Sequence, residues 1–172
     1  IFLHAIDPET GKLIWTNDSS GGINMPQPHG GANAKSGVSV QGYLLANEDR
    51  LFVPTGRAVP AAFARKTGKF DYYRLQENTK RGGTTAVLGE SFIYNGGYAY
   101  STKDGSLLAN RIPGAVVALP KSIVHGSGNQ LRKLKVVMKD STDRKGKPIK
   151  VATHETVWLA KSVPSGTAII GA

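Results

Sequence analysis

The chain of 172 residues contains no cysteine. That excludes a disulfide framework, a thiolate nucleophile and thiolate-ligated zinc within these residues. No stretch approaches the roughly 18 consecutive apolar residues of a membrane-spanning helix, and no charged-then-apolar opening marks a signal peptide. The 3.6-residue period of amphipathic helices is missing as well. Acidic residues are scarce, 12 against 22 Lys and Arg, for a net charge of +10.

Such a balance invites a nucleic-acid or membrane-surface partner, but charge distribution decides more than the sum. Eight basic residues (Arg132, Lys133, Lys135, Lys139, Arg144, Lys145, Lys147 and Lys150) crowd one short segment that holds only Asp140 and Asp143 as counter-charges. Outside it, 14 basic residues face 10 acidic ones, so the remainder is nearly balanced. The chain opens on Ile1 and closes on the apolar run 167–172; both ends read as cuts within a longer array, and 166–172 as the start of a further blade.

What the chain does have is an internal repeat. Leu3-His4-Ala5-Ile6-Asp7-Pro8-Glu9-Thr10-Gly11-Lys12-Leu13-Ile14-Trp15 is echoed by Ala62-Phe63-Ala64-Arg65-Lys66-Thr67-Gly68-Lys69-Phe70-Asp71-Tyr72-Tyr73, and more weakly by Ala99-Tyr100-Ser101-Thr102-Lys103-Asp104-Gly105-Ser106-Leu107-Leu108. Each copy reads as a strand, a four-residue turn and a second strand. Asp7 is placed to accept turn amides, Pro8 presets φ for the first turn position, and Gly11 supplies the positive φ that closes the turn. The terminal aromatic, Trp15 or Tyr73, is expected to pack between neighbouring sheets.

Further short strands lie between the hairpins, at 42–46, 50–53, 84–88 and 91–94, which makes four strands per unit. The glycine anchors Gly11, Gly68 and Gly105 stand 57 and 37 residues apart, bracketing the roughly 40 to 50 residues of a four-stranded propeller blade. The longer first interval holds a Gly/Pro/Asn/Ser stretch, 17–37, read as a loop inserted between blades. The fold class is therefore all-β: a partial β-propeller of four-stranded antiparallel blades, about three of them plus flanking strands. Its divisions within a single domain are 1–15, the end of one blade; 38–73; 83–108; and 115–162, a blade carrying a basic hairpin at 131–151.

The first copy resembles, almost position for position, the Ala-x-Asp-x-x-Thr-Gly-x-x-x-Trp signature of the pyrroloquinoline-quinone-like (PQQ-like) propeller family. Asp7, Thr10, Gly11 and Trp15 match it; the second copy keeps Thr67 and Gly68, and the third keeps the turn as Asp104-Gly105. That family includes quinoprotein dehydrogenases and the propeller lipoprotein of the bacterial outer-membrane assembly machine. The resemblance implies a bacterial protein of the periplasm or cell envelope. It also implies a non-catalytic scaffold whose partners are other proteins, with no cofactor of its own. The alternative it leaves is part of a quinoprotein oxidoreductase, or of a larger enzyme carrying a propeller domain, in which the full-length protein holds PQQ and calcium.

The remaining candidates each have a plain reading beside the functional one. His29 and Asn33 sit in Pro26-Gln27-Pro28-His29-Gly30-Gly31-Ala32-Asn33, a candidate binding loop or simply an exposed one. His4, His125 and His154 lack the spacing of metal ligands and read as structural. Paired glycines such as Gly96-Gly97 match neither the dinucleotide nor the phosphate-binding fingerprint and punctuate turns. Arg132, Lys133, Lys135 and Lys139 form a candidate basic patch on an exposed hairpin, where lysines also keep an edge from pairing with other chains. No aromatic residue interleaves with them along the tract, so the stacking platform of single-strand binders is missing and nucleic acid is not the expected partner.

Overall fold

A computed structural model describes residues 2–27, 32–56, 59–75, 82–109, 112, 114–119, 121–143 and 145–164. Sixteen strands and no helix occur among them, so no helix is long and apolar enough to cross a membrane. The chain is all-β, built of small antiparallel sheets of two to four strands with the inventory of a partial propeller. It divides into two compact units, 1–86 and 87–172.

The first unit holds two hairpins and one four-stranded sheet. β1 (Leu3–Ile6) pairs with β2 (Leu13–Asn17), and β3 (Ile23–Pro26) with β4 (Asn33–Ser36). The stretch 17–37, expected as a loop, thus contains a ladder of its own. The sequence Ile23-Asn24-Met25 alternates apolar and polar residues, and Met25 turns inward while its neighbours do not. β5 (Leu45–Ala46), β6 (Arg50–Val53), β7 (Ala61–Ala64) and β8 (Phe70–Tyr72) follow as a meander in chain order. Their core joins Leu3, Val38, Val53, Ala61 and Phe63 with half-buried Trp15, Leu51, Phe70 and Tyr73. Phe63 and Phe70 meet edge to face at 5.7 Å between ring centroids.

The second unit holds two four-stranded meanders. The first is β9 (Ala86–Leu88), whose first residue ends the other unit, β10 (Phe92–Asn95), β11 (Tyr98–Ser101) and β12 (Leu107–Ala109). The second is β13 (Ala115–Leu119), β14 (Ser122–Ser127), β15 (Gln130–Thr142) and β16 (Pro148–Ala160). Tyr94, Ala99, Ile112, Ile123, Leu134 and Ala152 form the core between them.

The three repeat copies close with one backbone. Gly11, Gly68 and Gly105 have φ of 68°, 68° and 69°. Their amides donate to the carbonyls of Asp7, Ala64 and Ser101 at 2.8, 2.8 and 2.9 Å. A register shift falls at the same place in each ladder, between Ala5 and Ile6, Ala62 and Phe63, and Ala99 and Tyr100. This common register corrects one expectation. Ala5 pairs with Trp15 and Ala62 with Tyr72, so Tyr72, not Tyr73, is the counterpart of Trp15. Tyr72 stands four residues after Gly68, as Trp15 stands four after Gly11.

Candidate interaction surface

The signature residues build the hairpin end. The Asp7 carboxylate accepts the amides of Glu9 and Thr10 at 2.9 and 3.1 Å, while the Thr10 hydroxyl accepts the Lys12 amide at 3.4 Å. In the second copy Thr67 repeats that last contact toward Lys69, but the Ala64 side chain offers no acceptor. In the third, Ser101 accepts the Lys103 amide at 3.1 Å and Asp104 accepts both the amide and the hydroxyl of Ser106. Trp15 reaches across to the second copy. Its indole N–H donates to the Arg65 carbonyl at 2.8 Å, and its ring lies over Gly68. Asn17, nearly buried, donates to the Gly68 carbonyl and accepts from the Ser20 hydroxyl. These residues fix one hairpin on the next, which is a structural task.

Of the candidate loop, His29 lies outside the described residues, as does the expected strand start at 166–172. Asn33 is exposed at the head of β4, opposite Pro26. Among the described residues no hydrogen bond or ion pair joins Asn33 to another candidate residue.

The basic tract becomes a ribbon. β15 and β16 pair over 130–142 and 148–160, whereas β14 pairs with β15 only as far as the Ser122–Lys135 step. Seven residues of each strand therefore run past β14, so the β15–β16 arm ends in a two-stranded extension roughly 20 Å long at about 3.4 Å per residue. The two faces of that arm differ. One carries Leu134, Val136, Ala152 and His154 toward the core, and its distal charges, Asp140 and Lys150, pair with each other at 3.1 Å. The other carries Lys133, Lys135, Val137 and Lys139 on β15, facing Trp158, Glu155, Thr153 and Val151 on β16. Glu155 bridges Lys139 at 3.3 Å and Lys135 at 3.5 Å, and its carboxyl is held below the usual range chiefly by the Lys139 hydrogen bond. Lys133 has Trp158, exposed to 42%, as its cross-strand neighbour. The aromatic that the tract lacks along the chain arrives from across the ladder, a pairing set by a bulge in β16 that spacing alone does not reveal. Arg132 hydrogen-bonds the Gln130 side chain at 2.7 Å and belongs to neither group.

One polar pair is invisible in the sequence. The Tyr94 hydroxyl and His154 Nε2 lie 3.3 Å apart between the two sheets of the second unit. Burial pushes the Tyr94 phenol up to about 12 and pulls the His154 imidazole down, with the nearby His125 adding to the latter. A cleft of about 270 Å³ opens beside Tyr94, walled by Phe92, Ile123 and Val136, with Glu90 and Lys121 as its charged lining. Sixty residues separate Tyr94 from His154, and only the pairing of two sheets brings them into reach.

Compared with known proteins, the chain matches no family model and no curated sequence. The class that the fold defines is an all-β protein of small antiparallel sheets of two to four strands.

Proposed function

We propose that the chain is a stretch of a PQQ-like repeat propeller that works as a non-catalytic protein-interaction scaffold in the bacterial envelope. The observation that carries this reading is the threefold recurrence of one hairpin end, at φ of 68°, 68° and 69°, with Trp15 of the first copy seated on Gly68 of the second. Recurrence of loop and bulge, with the aromatic of the first copy docked on the second, supports a blade repeat. Rigid sheets that present broad faces suit the capture of other proteins. The envelope location rests on resemblance to the family alone.

The quinone-dependent members of that family imply calcium held by carboxylate and amide side chains. Among the described residues no three His, Asp or Glu side chains converge. The described residues by themselves do not fit the ion. The test is titration of the full-length protein with the quinone and calcium, read by absorbance and by dye-linked alcohol oxidation. The scaffold reading expects no binding at tens of micromolar; bound quinone with turnover overturns it in favour of an oxidoreductase.

A further inference from the structure

We infer that the lysine-bearing face of the β15–β16 arm docks an extended acidic segment of a partner protein, one in which carboxylates alternate with apolar side chains. This rests on the scaffold reading and names the surface it uses. The segment 130–160 holds eight basic and three acidic residues, half of the chain's net charge of +10. A merely solvated ribbon would spread that charge over both faces. Here the core-side face closes its distal charges on each other as Asp140–Lys150, and the opposite face keeps Lys133, Lys135 and Lys139 against the single carboxylate of Glu155.

Glu155 shows the contact that a partner would repeat. One carboxylate lies within 3.5 Å of two lysines, and Lys133, the next step along the same face, makes no ion pair among the described residues. Residues two apart on a strand stand about 7 Å apart on one face, so the three lysines match the side-chain repeat of another extended chain. Apolar side chains share the face with them. Trp158, Val151 and Ile149 are 42%, 37% and 37% exposed, and the pairing register sets all three on this face.

That apolar content separates protein from nucleic acid. Phosphates would gain from the lysines but would strand valine and isoleucine against a charged backbone, and this face offers no Arg, Asn or Gln to read base edges. A strand of alternating Glu and Val would satisfy both kinds of side chain, and the steering charge would speed its encounter.

The test uses the full chain and fluorescence anisotropy with two labelled peptides, one alternating Glu and Val, the other Glu and Ser, beside a DNA duplex and vesicles containing phosphatidylglycerol. The Glu/Val peptide is expected to bind most tightly, and to weaken steeply as salt rises from about 0.01 M to about 1 M and the screening length falls from about 30 Å to about 3 Å. Reversal of both lysines in Lys133→Glu/Lys139→Glu is expected to cost roughly tenfold or more in affinity. The same variant should take up a Lys/Val peptide, which shows that it has folded. Tighter binding of duplex or vesicles, equal binding of the Glu/Ser peptide, or a folded reversal variant that binds as before would each overturn the inference. None of these outcomes touches the quinone titration, so the arm can fail while the scaffold reading stands, and quinone turnover removes the scaffold whatever the arm binds.

Discussion

Gly68 has no room for a side chain because Trp15 occupies it: a Cβ built there would stand 2.3 Å from Cε3 of the indole. Gly11, at the same turn position with the same φ of 68°, has nothing within 4 Å. The two glycines therefore separate backbone conformation from packing. Gly11→Ala carries only the left-handed penalty, about 1 to 2 kcal/mol. Gly68→Ala must also displace the ring from its site and strain the 2.8 Å bond to the Arg65 carbonyl, so it should cost at least about 1 kcal/mol more. Urea unfolding of the two variants, at unchanged m-value, measures the difference; equal losses would mean that the indole is not held there.

The turns form a second graded series. The Asp7 carboxylate accepts two turn amides, the Ser101 hydroxyl accepts the Lys103 amide, and the Ala64 side chain has no acceptor, on a shared backbone. Asp7→Ala is expected to lose about 1 kcal/mol, and Ala64→Asp to gain up to about 1 kcal/mol by capturing the Lys66 and Thr67 amides. Thermal unfolding midpoints moving in opposite directions would establish that the signature Asp acts through these bonds. A destabilised Ala64→Asp would show that the second turn does not admit the acceptor.

The hairpins were legible because their chemistry is local: Asp, Pro, Thr and Gly at fixed offsets dictate one loop wherever they occur. Short β-prone runs between turn residues likewise mark β6 and β10. The ladder β3–β4 escaped because Gly, Pro and Asn dominate 17–37 and outweigh four alternating positions. The counterpart of Trp15 is fixed by spacing as well, since Tyr72 follows Gly68 by the same four residues, and the adjacent pair Tyr72-Tyr73 lets the choice fall one residue late. The pairs Lys133–Trp158 and Tyr94–His154 depend on register and sheet packing, which sequence patterns leave open.

Tyr94 and His154 set opposite limits on the pH range of the second unit. Burial first, and then His125, depress the His154 imidazole from its ordinary value of 6.5. The unfolded chain thus binds more protons, and stability present above 6.5 is lost as pH falls through the folded value. The Tyr94 phenol, raised from 10.0 to about 12, favours the folded state below 10 and loses that contribution as pH rises toward 12. His154→Gln should flatten the acid side of the stability profile and Tyr94→Phe the alkaline side, each leaving the other limb in place. Unfolding midpoints measured from pH 5 upward check this; a variant that shifts both limbs together would mean that the two groups do not titrate as separate buried sites.

Glu155 competes with any acidic partner for the lysines of the arm. Its carboxylate engages Lys135 and Lys139 at 3.5 and 3.3 Å, with both lysine side chains more than half exposed, so the pair contributes little to folding. Glu155→Gln keeps the shape and the strand while it frees two ammonium groups. The unfolding midpoint is expected to stay where it is, and the affinity for the alternating Glu/Val peptide to rise by roughly tenfold at low salt, with the gain vanishing as the screening length shrinks. The direction of that change is the informative quantity. If Glu155 merely decorates a solvated ribbon, its removal alters neither number; if it occupies the place a partner carboxylate would take, binding improves although a favourable contact within the chain has been deleted.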